Sequence, residues 1–424
     1  MINTASITAA RPPCRRWPAG GERKFSAVVS LVEVVSPRAT NRRRTLRRGR
    51  VGGVRVTMAA DHIALVLHDF STGGSERIAI RLANAWAASG RRVTIFCGTE
   101  EGPARRLVSP LIAVVPCFPQ IRRGWASRLR LGWNLVAFFE SHRPDIVFAP
   151  GNFHLLILAV AARLTRTHQP RLVCKISNPL VPHAMPGPLG EIIGRALQRV
   201  LAPINHLTAM SPRLAKQAQT VLGGRELTCI DEPVLDHLPQ TLSRTSPRDP
   251  RPLIICIGRL EAQKDFGLAL RAFAELAPQS GAQLAILGDG PERNKLLAQA
   301  AKLGISDRVT FPGHVRDVAD WMARARLLLM TSRYEGFPAV LIEARAAGLP
   351  IVTTDCSLAL PEIISRAGQG EIVRGRTSAV IAAAIHRQLA APPVDSAASA
   401  CDVERFRICN VAPQWLTLFD RLVA

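Results

Sequence analysis

Residues 326–355 read RLLLMTSRYEGFPAVLIEARAAGLPIVTTD, which is an apolar strand, a polar loop, a helix and a second apolar strand. Pro338 suits the first turn of the predicted helix, and Gly348 suits its end. Two strands joined through a helix lie parallel in one sheet, and the helix covers a face of that sheet. The stretch therefore predicts an α/β fold built on parallel strands.

The same alternation of short apolar strands and amphipathic helices extends over most of the chain in two sets. The first set begins at HIALVLHDF (62–70), and the second begins at PLIICIGRL (252–260). Between them, LPQTLSRTSPRDPRP (238–252) is polar and rich in proline, as expected of a linker. The predicted fold class is α/β, with two Rossmann-like domains whose parallel sheets face a central cleft.

The predicted domain organisation is a first domain, a linker, a second domain and a final segment with an amphipathic helix: 58–240, 241–252, 253–400 and 401–424. Residues 1–57 differ from this body because they carry thirteen Arg and Lys but only two acids. Three interpretations fit them: a transit peptide or basic binding arm, a disordered tail, or upstream sequence before a true start at Met58.

The formal net charge of +23 remains positive when residues 1–57 are set aside. A basic body favours an anionic partner, such as a phosphorylated substrate, a membrane surface or a nucleic acid. The nine cysteines include no CxxC pair, and Cys97, Cys174 and Cys256 lie inside apolar runs, which indicates buried thiols in a reducing compartment and hence a cytoplasmic protein. No metal-ligand spacing occurs. No stretch reaches the ~18 apolar residues of a membrane-spanning helix.

Glycines and charges follow the predicted strands, where ligands of doubly wound sheets bind. In TGGSER (72–77), Gly73 and Gly74 would let a ligand approach the backbone, and the following helix would offer free amides to an anion. A tight turn that needs positive φ is the alternative interpretation.

Two cations, Arg259 and Lys264, follow the strand that ends at Gly258 in the motif GRLEAQKDF. Cations at this place would stabilise the charge that develops on a departing diphosphate, although a solvated loop pair would show the same pattern.

Two further loops carry weaker signals. Gly288 and Gly290, in GDGPERNKL, predict either a nucleotide-facing loop or a plain turn before a helix. His314 and Val315 end the strand RVTFPGHV, where backbone groups could hydrogen-bond a base.

Glu335 and Glu343 lie in the opening stretch with seven residues between them. The first precedes the predicted helix and the second lies within it, so the two carboxylates would reach different depths of one cleft. Carboxylates accept hydrogen bonds from hydroxyls, which suits one for a sugar and one for a ribose. Considered singly, Glu335 could be a helix cap and Glu343 an exposed helix charge.

From about residue 61 to 424, the chain resembles the family 4 glycosyltransferases of the GT-B fold. This is the retaining class that includes bacterial lipopolysaccharide and exopolysaccharide transferases. The resemblance rests on an ordered set of motifs: GGSER, PDIVFAP, GRLEAQKDF, ILGDGPERNKL, SRYEGFPAVLIEARAAGLPIVTTD and PEII. It implies a final helix that crosses back onto the first domain.

The resemblance also implies an activity: metal-independent, retaining transfer of a sugar from a nucleotide sugar, with UDP favoured over GDP. The implied acceptor is a glycan or a polyprenyl-diphosphate-linked sugar in cell-surface polysaccharide biosynthesis, and no cofactor is implied. Arg259 and Lys264 would hold the diphosphate, Glu335 the donor sugar and Glu343 the ribose. The catalytic candidates are Glu335, Arg259 and Lys264. The donor-binding set is Gly73, Gly74, Gly258, Arg259, Lys264, Gly288, Gly290, His314, Val315, Glu335, Gly336, Phe337, Pro338 and Glu343.

This sequence departs from the family pattern at three places. Many relatives carry a histidine in the loop that here contains Ser177 and Asn178, with His183 six residues beyond Ser177. These three residues are the acceptor candidates. The relatives' Asn-Pro-Val turn is Glu232-Pro233-Val234 here, and their late Gly-Pro pair is Ala359-Leu360.

Four arginines, at 122, 123, 128 and 130, lie beside Trp125 and Trp133. This pattern suits peripheral attachment to an anionic membrane surface, and a solvated helix with two core tryptophans is the equal alternative. A same-fold epimerase or phosphorylase, or a non-enzymatic basic binder of nucleic acid or membrane, are the alternative functions. A specific nucleic-acid partner is not expected, because nearly half of the excess charge lies in residues 1–57.

Overall fold

The computed structural model describes residues 60–71, 73–181, 188–237, 251–276, 281–366, 368–391 and 401–424. The basic segment 1–57, His183 and most of the expected linker at 241–252 lie outside the described residues. The strands and helices that follow come from the described part alone.

The first sheet has seven parallel strands in the order β3-β2-β1-β4-β5-β6-β7. Its inner strands are apolar and buried along most of their length, as expected of a sheet covered on both faces, whereas the two edge strands are partly exposed. They are β1 (His62–Leu67), β2 (Arg92–Cys97), β3 (Ala113–Pro116), β4 (Ile146–Ala149), β5 (Arg171–Ile176), β6 (His206–Ala209) and β7 (Thr228–Cys229).

The helices of this first half each follow a strand. They are α1 (Gly74–Ala88), α2 (Ser127–His142), α3 (Leu155–Leu164), α4 (Pro188–Leu201) and α5 (Pro212–Val221). α2 and α3 pack together on one face of the sheet, where their apolar residues form a core with β1, β4 and β5.

The second sheet has six parallel strands in the order β10-β9-β8-β11-β12-β13. These strands are β8 (Leu253–Ile257), β9 (Gln283–Leu287), β10 (Val309–Gly313), β11 (Leu327–Met330), β12 (Ile351–Thr354) and β13 (Gly370–Val373). The helices are α6 (Phe266–Glu275), α7 (Arg293–Lys302), α8 (Val318–Arg324), α9 (Ala339–Ala346), α10 (Leu360–Ile363) and α11 (Ser378–Ala390).

Strand order reverses once in each sheet, between β1 and β4 in the first and between β8 and β11 in the second. Ligands of doubly wound sheets bind outside the carboxyl ends of the strands at such a reversal. The loops after β1, β8 and β11 are therefore the ones to inspect for a site.

The last helix, α12 (Ile408–Val423), packs back onto the first half. The Trp415 ring lies 4.7 Å from that of Phe148, and the Phe419 ring lies 5.2 Å from that of Trp86. Asp420 also accepts a hydrogen bond from the Ala60 amide at 2.8 Å. The predicted two-sheet GT-B fold with a returning final helix is thus confirmed.

The structure also bears on two further predictions, which concern the cysteines and membrane-spanning helices. Cys97, Cys174 and Cys256, which were predicted to be buried thiols, are fully buried in their strands. In the described part of the chain, every helix is too short or too polar to cross a membrane.

Candidate active site in the cleft between the two sheets

A cavity of about 1040 Å³ lies where the loops at the carboxyl ends of the two sheets approach each other. It is at the upper end of the size range of ligand pockets in proteins. The first sheet contributes the start of α1 and the loop after β5, and the second contributes the loops after β8 and β11 with α9. The lining includes Gly73, Gly74, Ser177, Asn178, Gly258, Arg259, Lys264, Glu335, Gly336, Phe337, Pro338 and Glu343.

Lys264 and Glu335 form an ion pair in the cavity wall, with Nζ 2.6 Å from Oε1. The Ser332 hydroxyl donates to the same Oε1 at 2.7 Å, and the Glu335 amide donates to the Cys356 carbonyl at 2.7 Å. Oε2 of Glu335 has no hydrogen-bond partner among the described residues. One carboxylate oxygen is thus held in place while the other can accept a hydrogen bond from a ligand.

The loop after β8 places Lys264 beside this carboxylate. The Lys264 side chain passes over Gly258, where an added Cβ would lie 3.2 Å from Cε. The loop is fixed because the Thr331 hydroxyl donates to the Lys264 carbonyl at 3.1 Å and Gln263 Nε2 donates to the Tyr334 carbonyl at 2.8 Å. These bonds join the loops of the two strands that flank the reversal in the second sheet.

Arg259 lies on the more exposed rim of the cavity. Its side chain is 61% exposed and pairs with Glu261 of its own loop at 3.0 Å. Exposed pairs of this kind are worth about 0–1 kcal/mol. An anionic ligand in the cavity could therefore replace Glu261 as the partner of Arg259.

Glu343 lies on α9 and lines the cavity opposite α1 of the first half. Burial raises the pKa of its carboxyl above the ordinary value, and the positive charges of Arg77 and Arg81 oppose that effect. The carboxylate forms no hydrogen bond or ion pair with the described residues. The half-buried position contradicts the alternative that Glu343 is an exposed helix charge.

The two glycines before α1 have different surroundings. Gly73 has φ −62° and Gly74 is already helical, so the alternative of a turn that needs positive φ is wrong. A Cβ on Gly73 would lie 2.1 Å from Glu76 Oε2, whereas a Cβ on Gly74 would meet nothing within 4 Å. The helix has no side-chain cap, and the space beside Gly74 is open to the cavity.

The two halves touch at Gly336. An added Cβ there would lie 2.0 Å from the Ser177 carbonyl oxygen and 2.7 Å from Asn178 Oδ1. Asn152 holds the opposing loop, because its Oδ1 accepts from the Ser177 amide at 2.7 Å and its Nδ2 donates to the Asn178 carbonyl at 2.8 Å. The acceptor candidates Ser177 and Asn178 therefore lie directly against the loop that carries Glu335.

Four of the predicted residues lie outside the cavity lining. Gly288 and Gly290 pack against the loop after β8. An added Cβ at Gly288 would lie 2.0 Å from the Gly258 carbonyl oxygen, and one at Gly290 would lie 2.6 Å from the Leu260 carbonyl oxygen. His314 and Val315 lie just before lining residues 316–319. His183, the third acceptor candidate, lies outside the described residues.

Other lining residues were not predicted. Arg77 and Arg81 project from α1, and Arg81 Nε lies 2.8 Å from Asp236 Oδ1 in the chain that leaves the first sheet. Arg316 and Asp317 lie between β10 and α8. Arg77 belongs to the GGSER motif and Arg81 follows four residues later, so the helical period could have indicated both.

Two family models match the chain. Residues 72–232 match glycosyltransferase family 4, and residues 240–400 match glycosyl transferases group 1. Together these matches cover more than half of the 424 residues and correspond to the two halves described above.

Curated relatives match over shorter segments. The amylovoran biosynthesis glycosyltransferase of Erwinia amylovora is 35% identical over 115 residues, 27% of this chain and 32% of that protein. A lipopolysaccharide core biosynthesis mannosyltransferase of Rhizobium leguminosarum is 32% identical over 148 residues, 34% of this chain and 42% of that protein. The matched segments thus span less than half the length of these relatives.

A solved structure extends the likeness in fold to most of the chain. The Anabaena protein HepE, in complex with UDP and glucose, is 20% identical, has a TM-score of 0.63, and covers 84% of this chain and 98% of its own. Two family models in their expected order, on a fold of this kind, establish that the chain belongs to the group 1 glycosyltransferases.

Proposed function

We propose that the protein transfers a sugar from a nucleotide sugar to a glycan or a polyprenyl-diphosphate-linked acceptor in cell-surface polysaccharide biosynthesis. The observation that carries this proposal is the Lys264–Glu335 pair at the strand-order reversal of the second sheet, opposite the open amino terminus of α1. The names of the curated relatives, which concern amylovoran and lipopolysaccharide core, support the acceptor class.

The donor diphosphate would bind between Lys264, Arg259 and the first amides of α1. Lys264 carries three donors and spends one on Glu335, so two remain for phosphate oxygens. Negative charge grows on the diphosphate as the sugar leaves, and fixed donors that face this charge lower the barrier. We propose that these groups supply the positive charge without a metal ion.

The two carboxylates would orient the donor. Oε2 of Glu335 would accept a hydrogen bond from a hydroxyl of the donor sugar, while Glu343 would accept from the ribose hydroxyls. UDP is the favoured nucleotide, supported by the Anabaena protein of the same fold that was solved with UDP and glucose. We propose transfer with retention of anomeric configuration, which the resemblance to the retaining family implies.

Screening UDP- and GDP-sugars for thermal stabilisation of the full chain tests the donor. At a hundredfold excess over Kd, the bound nucleotide sugar would stabilise the protein by about 2.7 kcal/mol. Incubation with the stabilising sugar should release the nucleoside diphosphate, in buffer containing EDTA, and NMR of the product should show the anomeric configuration of the donor. If a correctly folded preparation binds none of these nucleotide sugars, the proposal is overturned.

Gly74→Ala is expected to weaken nucleotide-sugar binding by about 10- to 100-fold without loss of thermal stability. The added methyl group meets no protein atom within 4 Å and instead occupies cavity space at the start of α1, where the diphosphate is proposed to bind. Loss of one hydrogen bond to a charged group corresponds to that change in affinity. Isothermal titration measures it.

Gly124→Ala is the matched control for this substitution, since its Cβ also meets nothing within 4 Å but lies away from the cavity lining. If the two variants bind the nucleotide sugar with equal affinity, the amino terminus of α1 is not part of the donor site.

Gly336→Ala is expected to lower kcat/KM for sugar transfer by about 10- to 100-fold, because the methyl group would force the two loops apart and displace Glu335 from the opposing half. Misplacement of reacting groups by about 1 Å can cost that much. Steady-state assays of nucleotide release measure the change.

Gly267→Ala serves as the control for Gly336→Ala, because its closest contact is the movable Gln299 side chain at 2.8 Å. Full activity in both variants would show that close approach at Gly336 is not needed.

A further inference from the structure

The segment between β3 and α2 exposes large apolar side chains. Phe118 is 95% exposed and Trp125 is 97% exposed, followed on α2 by Leu129 at 49% and Trp133 at 69%. Leu129 and Trp133 are spaced by four, so they lie on one face of α2, and Trp125 lies in the turn just before the helix. The alternative that both tryptophans belong to the core is therefore wrong. We call Phe118, Trp125, Leu129 and Trp133 the exposed stripe.

The longer stretch 102–139, which includes this segment and most of α2, is rich in arginine and contains no acidic residue. Residues 102–139 contain six arginines and no Asp, Glu or Lys. Three of them, Arg105, Arg122 and Arg123, pair with acids outside the segment. Arg106, Arg128 and Arg130 form no salt bridge with a described acidic residue, and Arg128 and Arg130 flank Leu129 on the exposed side of α2.

The exposed stripe lies near the cavity. It follows the carboxyl end of β3, and the Ile121 amide donates to the Gly98 carbonyl at the carboxyl end of β2. Within the same loop, Arg123 bridges Asp69, which follows β1, and Glu76 of α1. Glu76 lines the cavity and lies over Gly73. One arginine thus connects the exposed loop to the start of α1.

We propose that the exposed stripe and its arginines dock on the surface of an anionic lipid bilayer. Tryptophan is favoured at membrane interfaces because its ring is apolar and its N–H is polar, and arginine attracts acidic headgroups. Leu129 between the two tryptophans gives the stripe of an amphipathic helix that lies in an interface, not a groove of stacked aromatic platforms for bases. The absence of acids from residues 102–139 matches a negatively charged surface.

This inference deepens the proposed function, on which its biological meaning rests. The stripe and the cavity lie toward the same edge of the first sheet, so docking would bring the acceptor half of the cavity close to the bilayer. A polyprenyl-linked acceptor has its sugar at the lipid surface, where such an orientation would present it to Ser177 and Asn178.

Vesicle binding by the full chain tests the docking surface. The probe is phosphatidylcholine vesicles with 30% phosphatidylglycerol, compared with phosphatidylcholine alone, each with brominated acyl chains in a parallel sample. The wild type should bind the anionic vesicles, and the bromines should quench its tryptophan fluorescence. Trp125→Ser/Trp133→Ser should abolish the quenching and weaken binding about tenfold or more, whereas Arg128→Gln/Arg130→Gln should weaken binding and its salt dependence.

Matched controls lie on the other half of the protein. Leu297→Ser/Val380→Ser removes two exposed apolar residues, and Arg271→Gln/Arg374→Gln removes two exposed arginines. Both controls should bind and be quenched like the wild type. Residues 1–57 are basic, contain Trp17 and are common to every variant, so all proteins are compared in a Trp17→Phe background, where quenching is the decisive readout. Quenching that survives in Trp125→Ser/Trp133→Ser overturns the proposal.

Other occupants give different results. If the tryptophan substitutions abolish concentration-dependent dimerisation or binding to single-stranded oligonucleotides while vesicle quenching is unchanged, the surface serves a second copy or a nucleic acid and the proposal fails. Stabilisation by nucleotide sugars, measured without vesicles, should be the same in all variants. Its absence from the wild type would count against the proposed function and leave the vesicle result standing.

Discussion

Lys264→Ala is expected to lower kcat for sugar transfer by about 100- to 1,000-fold, the usual cost of removing one donor that faces developing charge. The Nζ of Lys264 is held 2.6 Å from Glu335, so its remaining hydrogens point to a fixed place in the cavity. Charge on the leaving diphosphate grows mainly in the transition state, so kcat should fall more than KM rises. Steady-state release of nucleoside diphosphate gives both constants.

Lys295→Ala is the matched control. Lys295 also pairs with a glutamate, Glu292 at 2.9 Å, but on the exposed surface of α7. Its activity should equal that of the wild type, and both variants should keep the thermal midpoint of the wild type within a few degrees. If Lys264→Ala retains kcat within threefold, Lys264 does not stabilise the leaving group.

The fold could be predicted from sequence because its signals are local. A parallel strand buried on both faces is a continuous apolar run, and β1 and β8 were recognised in that way from HIALVLHDF and PLIICIGRL. The order of the strands in a sheet depends on the side to which each helical connection carries the chain, and no local sequence pattern records that direction. The sequence thus predicted most of the elements and the two sheets, but not β7, β13, α4 or α5, and not the positions of β3 and β10 at the sheet edges.

The candidate site divides in the same way. Lys264 and Glu335 follow apolar strands, so the rule that ligands bind at carboxyl ends was enough to select them. Arg81 and Asp236 meet across 155 residues of chain, and their contact depends on the path by which the chain leaves the first sheet. The close approach of Gly336 to Ser177 likewise exists only after both sheets have formed.

α2 shows a further limit. Leu131, Leu135, Phe138 and Phe139 form one apolar stripe of this helix, while Leu129 and Trp133, preceded by Trp125 in the adjoining turn, form a second. Helical periodicity identifies both stripes but does not say which one faces the sheet. The structure buries the first against β2 and α3 and leaves the second exposed. The choice between core and membrane interpretations therefore required the tertiary packing.

The structure explains how the chain accommodates Glu232, where the family pattern has an asparagine. Both oxygens of Glu232 accept from Lys175 Nζ, at 2.6 Å and 2.8 Å, and both side chains are almost fully buried. Lys175 lies on β5, and Glu232 lies where the chain leaves the first sheet. A buried carboxylate needs a charged partner, and Lys175 supplies it.

Lys175→Met is accordingly expected to lower the free energy of unfolding by about 3–5 kcal/mol, because it leaves the Glu232 carboxylate buried and unpaired. Glu232→Leu should cost a similar amount by leaving the ammonium of Lys175 alone. The double variant, Lys175→Met/Glu232→Leu, should recover most of the loss, since apolar residues can replace a buried pair with little change in stability. Urea denaturation followed by circular dichroism measures all three.

The surface pair of Arg195 and Glu191, at 3.3 Å, provides the comparison, and Arg195→Met should change stability by about 0–1 kcal/mol. Recovery in the double variant is the decisive feature, because it separates a coupled charge pair from two independent packing losses. If the two single losses simply add, each side chain stabilises its own surroundings. If instead they cancel, the acid at 232 is tolerated only because β5 carries a lysine that faces it.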